Sequence, residues 1–296
     1  MRYEGEHLLI GQIGHFFALL SLVASITATI AYYKSAQSID VNRALSWKKM
    51  GKISFLIQAI SVISIFVILY LIIYNHYFEY KYAHQHSKRS LDVQYLLSCF
   101  WEGQEGSFML WTFWQSMLGL AVMRTAKKWE APVMTIISLS QIFLASFLLG
   151  IYFFDLKVGT SPFVLMRKEF PDAPIFKDPQ YLYKYLTDGN GLNILLQNYW
   201  MVIHPPVLFL GFASSIVPFS FAVASMWKKE HKDWIKQALP WSLFCGGVLG
   251  LGIMMGAAWA YESLTFGGYW AWDPVENASM VPWLLMVAGI HTMLIY

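Results

Sequence analysis

Long apolar runs alternate with short polar joints along nearly the whole chain. A helical bilayer crossing takes about 20 residues, and the runs that approach that length are roughly Leu8 to Tyr33, Ile53 to Tyr74, Ser107 to Met123, Ala131 to Phe154, Pro205 to Met226, Ala238 to Tyr261 and Met280 to Tyr296. They predict an all-α polytopic membrane protein of about seven transmembrane helices, with a long outer loop between spans four and five. The expected division is a four-span bundle over residues 1–154, an outer loop over 155–201, and spans five to seven over 202–296. The third run is short. The seventh reaches Tyr296 without a polar flank, which reads as a piece of a longer protein, an engineered truncation or a split gene. Span one is too long for a cleaved signal peptide and lacks a basic n-region and a small-residue cleavage site, so it is expected to be retained.

Composition agrees with the pattern: charged residues make up 13% of the chain and hydrophobic ones 57%, where soluble domains carry about 25% charged residues. Lysine and arginine near span ends stay on the cytoplasmic side. Twelve of the 21 basic residues fall in loops one, three and five: Lys34, Arg43, Lys48, Lys49 and Lys52; Arg124, Lys127 and Lys128; Lys228, Lys229, Lys232 and Lys236. The N-terminus, the loop Asn75 to Asp92, the segment Asp155 to Met201 and the joint between spans six and seven are therefore expected outside. The net charge of +3 is a topology signal and does not point to nucleic acid. Cys99 and Cys245 belong to no CxxC pair, which speaks against a dithiol redox role.

The joint before span seven reads "GGYWAWDPVENASMVPW", Gly267 to Trp283, with carboxylates and aromatics and no lysine or arginine. Asp273, Pro274 and Glu276 suit the N-cap, N1 and N3 positions of a helix, a capping box with proline where a missing N–H costs nothing. Tyr269, Trp270 and Trp272 just before the cap, after Gly267-Gly268, also offer a flat apolar surface flanked by carboxylates. Either an interfacial aromatic belt or a platform for a planar ligand such as a porphyrin accounts for them.

Histidine is the usual axial ligand of haem iron. His7, His76 and His231 read as solvated residues at span edges or in a basic loop. His15 reads as a packed polar residue bonded to a neighbouring helix. His84 and His86, two apart, read as part of a mobile polar loop, with metal binding as the alternative. His204 precedes Pro205-Pro206; proline disfavours helix for the residue before it and favours a helix start. Span five is thus expected to begin at Pro205 with His204 at its outer lip, beside Tyr199 and Trp200. His291 lies about 26 Å along span seven from its cap, inside the bilayer, where an ionisable residue is a functional candidate. Met280, Leu284 and Val287 share its face.

The stretch "WAYESLTFGGYWAWDPVENASMVPWL" resembles the tryptophan-rich WWD signature of haem-handling proteins, in the form typical of CcmF subunits of cytochrome c maturation. "WEGQEGSFMLW", "MVIHPPVLFLGF" and "GQIGHFFALLSL" resemble further CcmF segments, so the resemblance covers nearly all of the chain as an N-terminal portion. It implies a multi-pass protein of the bacterial inner membrane with its N-terminus and WWD segment in the periplasm. The implied role is that of a haem lyase subunit: haem arrives on the chaperone CcmE and is joined through its vinyl groups to the CxxCH thiols of apocytochrome c, with CcmH- or CcmI-type subunits handling the apoprotein. The residues that match the family's platform are Trp259, Tyr261, Trp270, Trp272, Asp273, Pro274, Glu276 and Asn277. The family's outer axial histidine matches His204, and the first ligand of its structural haem b in the membrane matches His291. The second histidine of each pair belongs to a part of the family pattern beyond this sequence. The implied chemistry is proximity and orientation, with aromatics stacking on the ring and Asp273 and Glu276 fixing the turn. An NrfE-like lyase serving nitrite reductase, and a CcmC-like haem exporter or binding protein without ligation activity, remain alternatives.

Overall fold

The computed structural model describes residues 3–154, 156–263 and 268–295 of the 296-residue chain. Asp155, Gly267 and Tyr296, named above, lie outside them. Six helices among the described residues are long and apolar enough to cross a membrane. The protein is an all-helical, multi-pass membrane protein.

Helix α1 (Leu8–Gln37) turns back at Asp40, whose carboxylate caps the amide of Asn42, into α2 (Val41–Tyr74). The buried face of α1 runs through Gly11, Gly14, Ala18, Ser21, Ala24, Ser25, Ala28 and Ala31 before it reaches Tyr32 and Ser35. Such a small-residue stripe lets helix backbones approach closely where water supplies no driving force. Short helices α3 (Lys81–His86) and α4 (Val93–Glu102) lead into α5 (Gln104–Thr125). That helix corresponds to the short third run and is not among the six, because Thr112, Gln115 and Ser116 dilute its apolar character. Packed among α2, α6 (Glu130–Leu149) and α9 (Tyr199–Lys228), it needs no lipid-facing surface. Its polar groups bond inward: Gln58 Nε2 donates to Ser116 Oγ at 3.1 Å, Gln141 Nε2 reaches Ser116 Oγ and the Thr112 carbonyl at 3.2 Å each, and Gln115 bonds to Ser140.

Span four ends earlier than the apolar run suggested. Gly150 closes α6 in the left-handed conformation (φ 66°), and Ile151–Phe153 (β1) pairs antiparallel with Leu156–Val158 (β2). The long outer segment continues through the short helices α7 (Met166–Glu169) and α8 (Tyr181–Lys184). Beyond α9, α10 (Asp233–Glu262) runs back along it, and α11 (Pro274–Ile295) takes α10 as its principal neighbour.

Ion pairs gather the three basic loops at one end of the bundle. Lys48 and Lys52 meet the buried carboxylate of Glu130 at 2.7 and 3.2 Å, Lys128 bonds to Glu230 and Asp233, and Tyr33 stacks on Trp227. At the other end Arg167 grips Glu6 with two nitrogens, at 2.6 and 3.1 Å, and Tyr181 donates to the same carboxylate at 2.7 Å. Because Gly103 sits at this second end and Glu130 at the first, α5 runs the length of the bundle.

Three histidine readings change. His7 is held by Glu79, which accepts from its backbone amide at 2.8 Å and lies 3.0 Å from its Nδ1, while its ring stacks on Tyr77 at 3.9 Å. His86 lies 3.1 Å from Glu102 at the end of a helix that packs on α4. His15 faces outward from α1 and has no hydrogen-bonding partner among the described residues. No group of three or more histidine, cysteine, aspartate or glutamate residues among those described is arranged to hold a metal ion.

The "WEGQEGS" segment turns α4 into α5 with almost no free space. A Cβ on Gly106 would lie 1.6 Å from the Phe100 carbonyl oxygen, and one on Gly103 would meet Tyr82 at 2.6 Å. Tyr82 OH accepts from the Gly103 amide and donates to Phe100 O at 2.8 Å. The Gly106 clash is with backbone and cannot be relieved by a rotamer change. Gly106→Ala is therefore expected to destabilise the protein by about 3 kcal/mol or more, in line with overpacking at its upper range, read as lost yield and a lowered melting temperature in detergent.

Candidate functional site

Helix α9 begins at Tyr199, six residues before the expected start, so His204 lies in its second turn rather than at its lip. Asn198 caps it by accepting from the Trp200 amide at 3.0 Å. The sequence rule for residues before proline gives way here because tertiary contacts support the turn. Trp200 in turn donates through Nε1 to Glu262 at the end of α10, at 2.7 Å.

Helices α9 and α10 cross closely in one antiparallel register. A Cβ on Gly211 would meet Leu249 Cα at 2.7 Å, and one on Gly252 would meet Leu208 Cα at 2.9 Å. One step further, a Cβ on Gly256 would lie 2.9 Å from His204 Cε1. The imidazole thus occupies the space that a side chain at 256 would fill. Its Nδ1 is buried without a partner among the described residues, and its ring meets Trp259 edge-on at 5.7 Å.

Around His204 lies a cavity of about 160 Å³ whose walls include Leu208, Ile253, Ala257, Ala260, Trp259, Trp270, Asp273, Val275, Glu276 and Ser279. Ligand pockets usually enclose about 300–1,000 Å³, so this one admits the edge of a flat ring and leaves the rest over its open side. Mostly apolar walls and a buried imidazole nitrogen without a partner among the described residues are the chemistry that a flat, iron-bearing ligand would use.

Asp273 and Glu276 form the reciprocal box. Asp273 Oδ1 accepts from the Glu276 amide at 2.7 Å, and Glu276 Oε2 accepts from the Asp273 amide at 3.1 Å. Glu276 also takes the Ala271 amide, at 2.9 Å through Oε2. Between these anchors Trp272 is held at φ 56°, a left-handed conformation that non-glycine residues seldom adopt. Asn277 donates to its carbonyl at 3.1 Å. Pro274 sits at the start of α11.

The structure thus brings His204, Trp259, Trp270, Asp273 and Glu276 to one cavity. It places Tyr261 outside, stacked on Tyr269 at 4.3 Å, and Trp272 on the surface, edge-on to Trp270. Pro274 and Asn277 shape the turn without lining the cavity. His291 is remote from it, on the exposed face of α11, with Nδ1 2.8 Å from the Val287 carbonyl. When that nitrogen carries the proton, Nε2 keeps its lone pair for a ligand, an arrangement common among metal-binding histidines. Gly256 was missed at the sequence level; the spacing Gly252, Gly256, Ala260 was the available signal.

A capping role for Asp273 is separable from one that needs its charge. Asp273→Asn is expected to cost a few tenths of a kcal/mol in thermal unfolding and Asp273→Ala about 1 kcal/mol. A full loss of haem binding in well-folded Asp273→Asn would show that the charge acts on the ligand.

Residues 101–296 match the family described as Cytochrome C assembly protein. The chain is 31% identical to the cytochrome c-type biogenesis protein CcmF of Haemophilus influenzae over 96% of its length, and 29% identical to that of Pseudomonas aeruginosa over 96%. It is also 33% identical to the biogenesis protein NrfE of Haemophilus influenzae over 73% of its length. A solved structure titled Cytochrome c Heme Lyase CcmF superposes over 100% of this chain and 43% of its own, with a TM-score of 0.76 and 25% identity. The chain spans about two fifths of the length of the two CcmF relatives, 41% and 40%.

Proposed function

Because the chain belongs to the Cytochrome C assembly protein family, we propose that it is a haem-handling subunit of cytochrome c biogenesis that presents haem for thioether attachment to apocytochrome c. The observation that carries this reading is the imidazole of His204, its Nδ1 buried without a partner among the described residues, in an apolar cavity walled by Trp259 and Trp270. Haem is the substrate there, and it supplies the vinyl groups to be joined to the CxxCH thiols. His204 takes one axial position. The tryptophans hold the ring against the wall, and the box of Asp273 and Glu276 fixes the turn that carries Trp270 and Trp272. The catalytic contribution is positioning, which turns an encounter of three components into a local step.

The cavity contains a single histidine, so a second axial ligand comes from elsewhere. His291, on an exposed face of α11, is the candidate ligand for a structural haem b at a contact with further helices. CcmE as haem donor and CcmH- or CcmI-type subunits as apocytochrome handlers are the partners this reading calls for. The likeness to the biogenesis protein NrfE keeps an NrfE-like client as the alternative.

The basic end of the bundle faces the cytoplasm and the cavity the periplasm of the bacterial inner membrane, with α5 as a seventh crossing. Single cysteines at Lys48 and Lys232 are expected to resist a membrane-impermeant thiol reagent in intact cells, and cysteines at Asp172 and Gly268 to react; Ala83, expected on the same side, is buried and cannot report. Protection of Gly268→Cys together with labelling of Lys48→Cys would reverse the topology and remove the site from the compartment where cytochromes c are assembled.

The function itself is tested by titrating the 296-residue chain in lipid nanodiscs with haem. One saturable equivalent is expected, turning low-spin when free imidazole supplies the missing ligand. Unsaturable binding, or a spectrum that imidazole leaves unchanged, would refute it.

A further inference from the structure

Two prolines in succession, Pro205 and Pro206, lie inside α9 immediately after the histidine of the cavity. A helical residue donates its amide to the carbonyl four positions earlier, and proline has no amide hydrogen to give. Pro205 therefore leaves the carbonyl of Met201 without its helical donor. That carbonyl is buried with Met201, where an unpaired oxygen is unfavourable. In the structure Trp101, 100 residues away in sequence, donates to it: Nε1 lies 2.8 Å from Met201 O. Trp101 is itself buried and anchored, since its own carbonyl accepts from Ser107 Oγ at 2.9 Å within the tight "WEGQEGS" turn.

We propose that Trp101 is a positioning residue for His204: its indole N–H replaces the hydrogen bond that Pro205 removes, and so holds the turn that aims the imidazole at the cavity. The inference rests on the reading of His204 as a haem ligand, and it gives a function to a motif that lines no part of the site. The turn from Met201 to Pro205 contains His204. With the Met201 carbonyl satisfied, the helix runs unbroken from its Asn198 cap through both prolines. Without that bond, the first turns would be free to part at the prolines, and the ring would leave the space opposite Gly256.

The arrangement gives a rescue test. Trp101→Phe keeps the aromatic bulk and removes the donor, while Pro205→Ala restores the helical donor to Met201 O. The full chain is examined without haem in nanodiscs, by amide hydrogen exchange over Tyr199–His204 and by the ¹³Cε1 resonance of labelled His204. Trp101→Phe is expected to speed exchange in this segment at least about tenfold and to shift or split the His204 resonance. The double variant Trp101→Phe/Pro205→Ala is expected to return both to wild type. In a parallel haem titration, Trp101→Phe is expected to weaken affinity about tenfold, with recovery in the double variant and no further loss in a His204→Ala background.

Unchanged exchange in Trp101→Phe, or failure of Pro205→Ala to rescue it, would overturn the bracing. Faster exchange with an unmoved His204 resonance would overturn the positioning. If wild-type protein binds no haem, the proposed function fails, while the exchange and resonance measurements still decide the role of Trp101.

Discussion

Replacing His204 with alanine is expected to lower the affinity of the cavity for haem at least about 100-fold, or about 2.8 kcal/mol at 1.4 kcal/mol per factor of ten. The structure makes the expectation asymmetric between the two candidate ligands. His204 shares its cavity with Trp259 and Trp270, whereas His291 lies on another helix with its ring outside the bundle. His291→Ala should therefore leave haem at the cavity unchanged and abolish the haem b spectrum of the assembled complex. His204→Ala should do the reverse, keeping that spectrum and losing cytochrome c assembly. Loss of both haems in either variant, or of neither, would contradict two separate sites.

The features legible in the sequence were those written in consecutive residues. Apolar length gave the spans, and the lysines of loops one, three and five do gather at one end of the bundle, tied there by Glu130, Glu230 and Asp233. The capping box at Asp273 and Glu276 was visible because both partners lie within one turn. The features that were not legible depend on partners far along the chain. Nothing near His7 announces Glu79, and nothing near His86 announces Glu102, so both histidines looked free. The start of α9 is a similar case: the local rule for a residue before proline puts it at Pro205, whereas the helix begins at Tyr199, capped by Asn198 and with its Met201 carbonyl bonded to Trp101 from a different helix. His15 failed in the opposite direction, since depth in a span suggested a partner that the fold does not provide. The end of span four was misjudged because apolar residues continue past Gly150, and only its left-handed backbone diverts them into a hairpin.

Three glycines of α10 should respond differently to alanine, and the contrast tests the site most sharply. Alanine gains about 1 kcal/mol over glycine in a helix interior, so any loss must come from what the new methyl group meets. At Gly247 it meets nothing within 4 Å, and Gly247→Ala should raise the melting temperature slightly and leave haem binding alone. At Gly252 it meets the backbone of Leu208 at 2.9 Å, so α9 and α10 must separate and stability should fall. At Gly256 its three nearest neighbours are all imidazole atoms of His204, Cε1 closest at 2.9 Å, and a side-chain ring can swing away where a backbone cannot. Gly256→Ala should therefore fold at least as well as wild type and bind haem at least about tenfold more weakly, and Gly256→Val should approach the loss seen for His204→Ala. A stable Gly256→Val protein with wild-type haem affinity would mean that the ring does not work from the position it occupies between the two helices. The assignment of His204 as the ligand would fall with it.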